Sequence, residues 1–448
     1  MSGSKRVLTL ARLRVARFLV LCMLVLGSGL LWACSPQAGE AIHLTIKVPR
    51  TGHDVVFDDT TTQIDQVINR MARSFEESYE GKPVVVDVQV FEQNQYDEAV
   101  EQALGTEDSP DILYGDFFNT STYIHTGKVV PLDDVVQGNL REDLFPHLLS
   151  MSTMNGHLYM MPYLSRQNVL AYNKELFIQA GLEEYIEEGA ITSWTLEEWT
   201  VILDTLAQNL PEAAYPMMMY AGSSQGDTHI MTLLRSAGSR FFDEDDHFHL
   251  NTPEGIAALR WIQEGVGRGW FPPHSENLEI EDCSSLFREG QLAIYMVNNA
   301  SLGRYDDRVG LVNFPGSGSG CATIFISGFE VFDNGDPEKV QVAKDFLTHV
   351  YQSEELMDLS AGALPASRSV AERYGDDILA YDLFSKNREN VVDFTGSNPD
   401  TRAVREIFHG HIHDLLTGAV TPEEAAAALD EECNAAIEEG RAASQLHE

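Results

Sequence analysis

The chain has 448 residues, more than the roughly 250–300 that one hydrophobic core usually holds, so two compact lobes are expected. Asp and Glu number 69 against 30 Lys and Arg, a formal net charge of -39, which excludes nucleic acid as a partner because such a binder needs a basic stripe to displace phosphate counterions. Five cysteines are too sparse for a disulfide scaffold.

Lys5, Arg6, Arg12, Arg14 and Arg17 precede an uncharged apolar run over residues 18–33, which reads as a signal segment too short for a membrane span of about 20 residues. The run ends at Leu31-Trp32-Ala33-Cys34-Ser35. This resembles the lipobox of bacterial lipoproteins, which implies that Cys34 carries lipid and becomes the mature N-terminus; Trp32 departs from the small or branched residue usual there. An uncleaved signal anchor is the alternative. A short tether, 34–41, follows.

Ile42, Leu44, Ile46 and Val48 alternate with His43, Thr45 and Lys47, as a half-buried strand requires. Ile64, Val67, Ile68, Met71, Phe75 and Tyr79 then fall on one helix face that stops at Gly81-Lys82-Pro83, and residues 84–90 give a second strand. Strand, helix and strand make a crossover unit, and the fold class is α/β with two lobes. Thr195 with Glu198 forms a capping box ahead of Trp199, Ile202, Leu203 and Leu206, and Thr252-Pro253 and Thr421-Pro422 each set a cap before a proline at the first helical position. Gly316-Ser317-Gly318-Ser319-Gly320 lacks the Lys-Ser/Thr pair of a phosphate cradle and reads as a mobile connection. A single bridge, Cys283 to Cys321, is conceivable from the count alone, with Cys433 left over.

The order of several segments resembles the extracellular solute-binding proteins of family 1, the maltose-binding-like receptors of ABC importers. They include Pro110-Asp111-Ile112-Leu113-Tyr114, Thr126-Gly127-Lys128-Val129-Val130-Pro131-Leu132-Asp133, Tyr172-Asn173-Lys174-Glu175-Leu176-Phe177, and Thr192-Ser193-Trp194-Thr195-Leu196-Glu197-Glu198. Thr252-Pro253-Glu254-Gly255, Phe287-Arg288-Glu289-Gly290-Gln291 and Leu416-Thr417-Gly418-Ala419 follow in the same order, so the likeness covers nearly all of the mature chain. It implies two lobes around a ligand cleft, 42–165 with 298–327 and 166–297 with 328–448, crossing near 163–170, 296–299 and 326–331. It also implies a small-molecule solute, with carbohydrate foremost, an ABC permease as partner, and attachment to the outer face of the bacterial cytoplasmic membrane through the lipid. No cofactor or metal is expected.

In open α/β sheets ligands sit outside the carboxyl ends of strands, which nominates Arg50 and His53, then Tyr114, Asp116 and Phe117, then Asn298 and Asn299. Aromatic platforms with planar polar groups suit sugars. The resemblance adds Asp116 as a carboxylate gripping hydroxyls and Phe329 beside Gly328 as a stacking face. It also places Arg166 where relatives carry a ligand-touching carboxylate; that cation either selects an anionic solute or pairs with an acid. Two rival classes remain. A secreted glycosidase would need paired carboxylates, and none stands out among so many. A metal-uptake lipoprotein would use His409, His411 and His413, but Gly410 stands where a zinc helix wants Glu, and a surface helix is the favoured reading.

Overall fold

The computed structural model describes residues 41–50, 55–57, 60–305, 308–316, 319–392 and 401–444. The signal segment, Cys34, most of the tether and His53 lie outside the described residues. Among those described, no helix is long and apolar enough to cross a membrane.

Strand β1 (Ile42–Arg50) buries Ile42, Leu44, Ile46 and Val48, and α1 (Ile64–Ser78) buries the predicted face, Ile64 to Phe75. Strand β2 (Val84–Glu92) pairs parallel with β1 from Ile42↔Val84 to Arg50↔Glu92, so the first unit folds as its periodicity requires. Helix α2 (Gln93–Ala103), β3 (Ile112–Asp116) and the long β4 (Met161–Asn173) follow. Then come α3 (Leu196–Asn209), β5 (Tyr215–Met217), α4 (Asp227–Ser236) and α5 (Pro253–Arg268). The chain continues through β6 (Leu292–Asn298), β7 (Val309–Val312), β8 (Ala322–Val331), α6 (Pro337–Gln352), α7 (Thr401–Thr417) and α8 (Pro422–Ser444). The predicted caps are present: Thr195 and Glu198 close a capping box on α3, Thr252 accepts from the Gly255 N–H, and Thr421 from the Glu424 N–H.

One sheet runs β5-β6-β4-β8-β3-β1-β2, and two large hydrophobic cores pack against different parts of it, with a small third cluster around Tyr96, Leu113 and Phe332. Strands β4 and β8 belong to both. Met161 and Leu164 of β4 lie in the first core and Val169 to Tyr172 in the second; Ala322 of β8 lies in the second core and Ile326, Phe329 and Val331 in the first. Between them the antiparallel pair carries four consecutive buried polar residues, Ser165, Arg166, Gln167 and Asn168, opposite Ile326 to Thr323. Within the polar belt the Gln167 amide donates to Phe384 O at 3.0 Å, Asn168 to Thr323 Oγ1 at 3.3 Å and the Gln167 N–H to Asn299 Oδ1 at 3.3 Å, while the buried Gln167 Oε1 finds no partner among the described residues. At Gly328, where the register slips, any Cβ would sit 2.1 Å from Met161 O, so no other residue fits.

This packing corrects the expected lobe boundaries. Leu311, Val312, Phe314 and Cys321 join the second core rather than the first, and the core residues from Val342 to Ala363, with Ala366 and Val370, join the first rather than the second, while Leu364 packs in the second. Strand β6 lies wholly within the second core, so the third passage between lobes is not at 296–299 but between Val370 and Phe384. The glycine-rich stretch is pinned at its base, where Phe314 and Cys321 exchange backbone hydrogen bonds of 2.8 and 3.0 Å; Ser317 and Gly318 lie outside the described residues. Cys283, Cys321 and Cys433 are buried free thiols, so no bridge joins the first two, and burial pushes each thiol up to about 12.

Glu330 on β8 is fully buried, accepts a hydrogen bond from Thr120, and is pushed by burial up to about 8 from an ordinary value of 4.5. Because the folded value is raised, its contribution to stability is full below the ordinary carboxylate range and is lost as pH climbs from about 4.5 to about 8. Glu330→Gln is therefore expected to raise the melting temperature relative to the wild type at pH 8 and to leave it unchanged at pH 4, as thermal unfolding across that range will show.

Candidate solute-binding cleft

The polar belt opens toward the carboxyl end of β3. There Asp116 accepts a hydrogen bond from Ser327 of β8, and its Oδ1 lies 3.8 Å from Arg166 Nη1 on β4. Antiparallel pairing sets this up, since β8 places Ser327 opposite Asp116 on one side and Phe325 opposite Arg166 on the other. The Arg166 side chain is 8% exposed and that of Asp116 33%. Two residues nominated separately in the sequence thus come together as a charge-compensated pair.

The second lobe answers with another. Asp227 opens α4 after a tight turn at Gly226, where a Cβ would fall 2.1 Å from Tyr220 O. Its carboxylate, fully buried, is bonded by Arg405 Nε from α7. A carboxylate in the first helical turn also meets the positive end of the helix dipole. Burial raises the carboxyl of Asp97 on α2 of the first lobe, while the charge of Arg405 and a hydrogen bond with Asn119 oppose that rise and Asp116 adds to it. Asp97 and Asp116 from one lobe, Arg166 at the crossing, and Asp227 and Arg405 from the other therefore form one electrostatic constellation. Asp97 and Arg405 went unnoticed in the sequence, whereas Asn119 belongs to the loop nominated after β3. Asp97 follows β2 and the strand-end rule covers it, whereas nothing local marks Arg405, which lies 178 positions from its partner.

Several nominated residues serve elsewhere. Tyr114 and Phe329 are core residues, 2% and 0% exposed, with ring centroids 5.0 Å apart in an edge-to-face pair that also meets Tyr163; Phe329 is therefore no stacking face for a ligand. Phe117 is half-buried against the first core. Asn298 closes a turn by accepting from the Ser301 N–H at 2.9 Å, and Asn299 bonds the belt. Arg50 pairs on the surface with Glu92 at 2.8 Å, beyond the constellation. The three histidines of α7 turn to separate partners: His409 to Ala221 O at 2.8 Å, His411 to Glu432 at 3.1 Å and His413 to Asp414 at 3.7 Å. Among the described residues no group of three or more His, Cys, Asp or Glu is placed to hold a metal. A separate apolar cavity of about 340 Å3 lies in the second lobe beside Trp199, Leu233 and Trp261 and shares no residue with the constellation.

Two lobes on shared strands, with charged groups converging from both, are matched in sequence over residues 58–355 by the family described as bacterial extracellular solute-binding protein. The chain belongs to that family. The mannitol-binding protein of Pseudomonas aeruginosa is 24% identical over 231 residues, 51% of each chain, and a putative binding protein of Brucella abortus is 21% identical over 174 residues, 38% of this chain and 40% of that protein. The chain thus spans about half the length, or less, of these curated relatives. Among solved structures, the GacH receptor of Streptomyces glaucescens superposes with a TM-score of 0.70 at 16% identity, covering 89% of this chain and 99% of that one. The sugar-binding protein MalE of Xanthomonas citri gives 0.71 at 16%, covering 90% and 99%. A solute-binding protein of Agrobacterium radiobacter, solved with ribitol, gives 0.66 at 20%, covering 88% and 99%. At such identities these likenesses establish the fold.

The Asp227–Arg405 pair supplies a stability test. Removing one partner strands the other charge in a largely dehydrated place, so Asp227→Ala should cost about 3 kcal/mol in chemical denaturation, and adding Arg405→Met should restore most of it.

Proposed function

We propose that the protein is the lipid-anchored receptor of an ABC importer, closing its lobes on a small neutral polyhydroxylated solute and presenting the closed form to the permease without altering the solute. The observation that carries this reading is the convergence of Asp97 and Asp116 from one lobe with Asp227 and Arg405 from the other around Arg166 in the shared strand. Carboxylates accept hydrogen bonds from hydroxyls and guanidinium groups donate in pairs, and both kinds of bond are stronger than neutral ones. A solute touching both lobes stabilises the closed arrangement by its differential contacts.

Neutrality follows from the charge balance. Arg166 already faces Asp116 and Arg405 already bonds Asp227, so an anionic solute would meet compensated cations together with the additional carboxyl group of Asp97. The withdrawal of Tyr114 and Phe329 into the core leaves polar groups dominant among the described residues of the constellation, which suits a ligand that presents hydroxyls all round. The mannitol-binding relative and the ribitol-bound neighbour accord with that chemistry.

Calorimetry and thermal shift on the mature chain with mannitol, ribitol, maltose, glucuronate and glucose 6-phosphate test the reading. A neutral solute should bind, and Arg166→Ala should weaken it ten- to a hundred-fold, the range for losing a hydrogen bond to a charged group, with little change in melting. Tighter binding of the glucuronate or phosphate ligand, or a bound solute recovered with altered mass, would overturn it. Attachment has its own test: cells expressing the full chain should incorporate labelled palmitate into the protein and lose both label and membrane association in Cys34→Ser.

A further inference from the structure

The lobes touch directly on the side where α7 meets the short helix Thr120–His125 that follows β3. The Thr401 N–H donates to Thr122 Oγ1 at 3.1 Å, and the Thr401 and Ser121 hydroxyls lie 3.2 Å apart. Arg402 Nη1 donates to Glu101 Oε2 of α2 at 2.7 Å. Thr401 is only 4% exposed, although it is the first residue of its helix.

The charges around Arg402 make this more than an incidental surface pair. Glu98 and Glu101 on α2 and Glu406 on α7 all raise the basicity of Arg402, Glu101 most of all through its hydrogen bond. Carboxylates from both lobes thus surround one guanidinium. In a chain of net charge -39, bringing two acidic lobes together carries a repulsive cost, and a cation at the junction offsets it. The charges of Asp97 on α2 and Arg405 on α7 also favour each other between the same two helices.

We propose that Arg402 and Thr401 of the second lobe clasp Glu101, Ser121 and Thr122 of the first, holding a fraction of the solute-free protein closed, and that ionic strength sets this fraction. The proposal rests on the receptor reading for its consequence: apparent affinity scales with the fraction of molecules already competent to bind, so the clasp tunes uptake without touching the solute. An exposed ion pair shifts such a balance by about two- to five-fold and is weakened by salt.

The experiment needs no solute, so its outcome is independent of which ligand the protein takes. Spin labels introduced by Val85→Cys in the first lobe and Val201→Cys in the second sit on exposed positions, while the native thiols Cys283, Cys321 and Cys433 are buried. Pulsed electron resonance on the mature chain carrying Cys34→Ser, so that only the two introduced thiols take label, should show a short-distance population at low salt that shrinks in 1 M salt. Arg402→Glu and Glu101→Arg should each shift the short-to-long ratio toward long by about two- to five-fold at low salt. The two together should restore the wild-type distribution, and all variants should melt within a few degrees of the wild type. An Arg402→Glu distribution matching the wild type at low salt, or a charge swap that fails to restore it, would overturn the proposal.

Discussion

Four buried polar side chains in the middle of two apolar strands govern the architecture. Ser165 to Asn168 can be buried only where hydrogen-bond partners meet them, and the partners come from β8, from the Asn299 loop and from the segment reaching Phe384. Where those bonds run, the two large cores part, so one sheet serves both. A belt of Leu and Val there would have fused the cores into one rigid body. The same belt presents Arg166 at the crossing, so the element that separates the lobes also supplies the pivot of the charged constellation.

Cations are scarce in this chain, and their placement is informative. Arg166, Arg402 and Arg405 all stand where the lobes meet, and each faces carboxylates already in place. Fixing acids with arginines orients the carboxylate oxygens and lowers the net charge seen by an incoming solute. A neutral hydroxyl-rich molecule can then enter without displacing an ion pair from its partner.

Local signals carried much of the fold. The alternation of β1, the helical face of α1 and the caps at Thr195, Thr252 and Thr421 follow from short-range rules, because hydrophobic periodicity and orphan N–H groups are properties of neighbouring residues. Strand-end reasoning also reached Asp116, while the Arg166 position came from resemblance. It misjudged Tyr114 and Phe329, because alternation tells which residues share a face but not whether that face looks into a core or a cleft. The lobe boundaries were illegible for a related reason: β4 and β8 change cores in mid-strand, with no break in composition to mark it. Arg405 reaches Asp227 only through tertiary packing, and no spacing in the sequence encodes that meeting.

The three thiols have a bearing on how the protein is made. Each lies in an apolar setting that suppresses the reactive thiolate, and none is bridged to another. With these three cysteines sealed in this way, the described part of the chain completes its fold without a disulfide. Its durability outside the cell then rests on packing rather than on covalent staples.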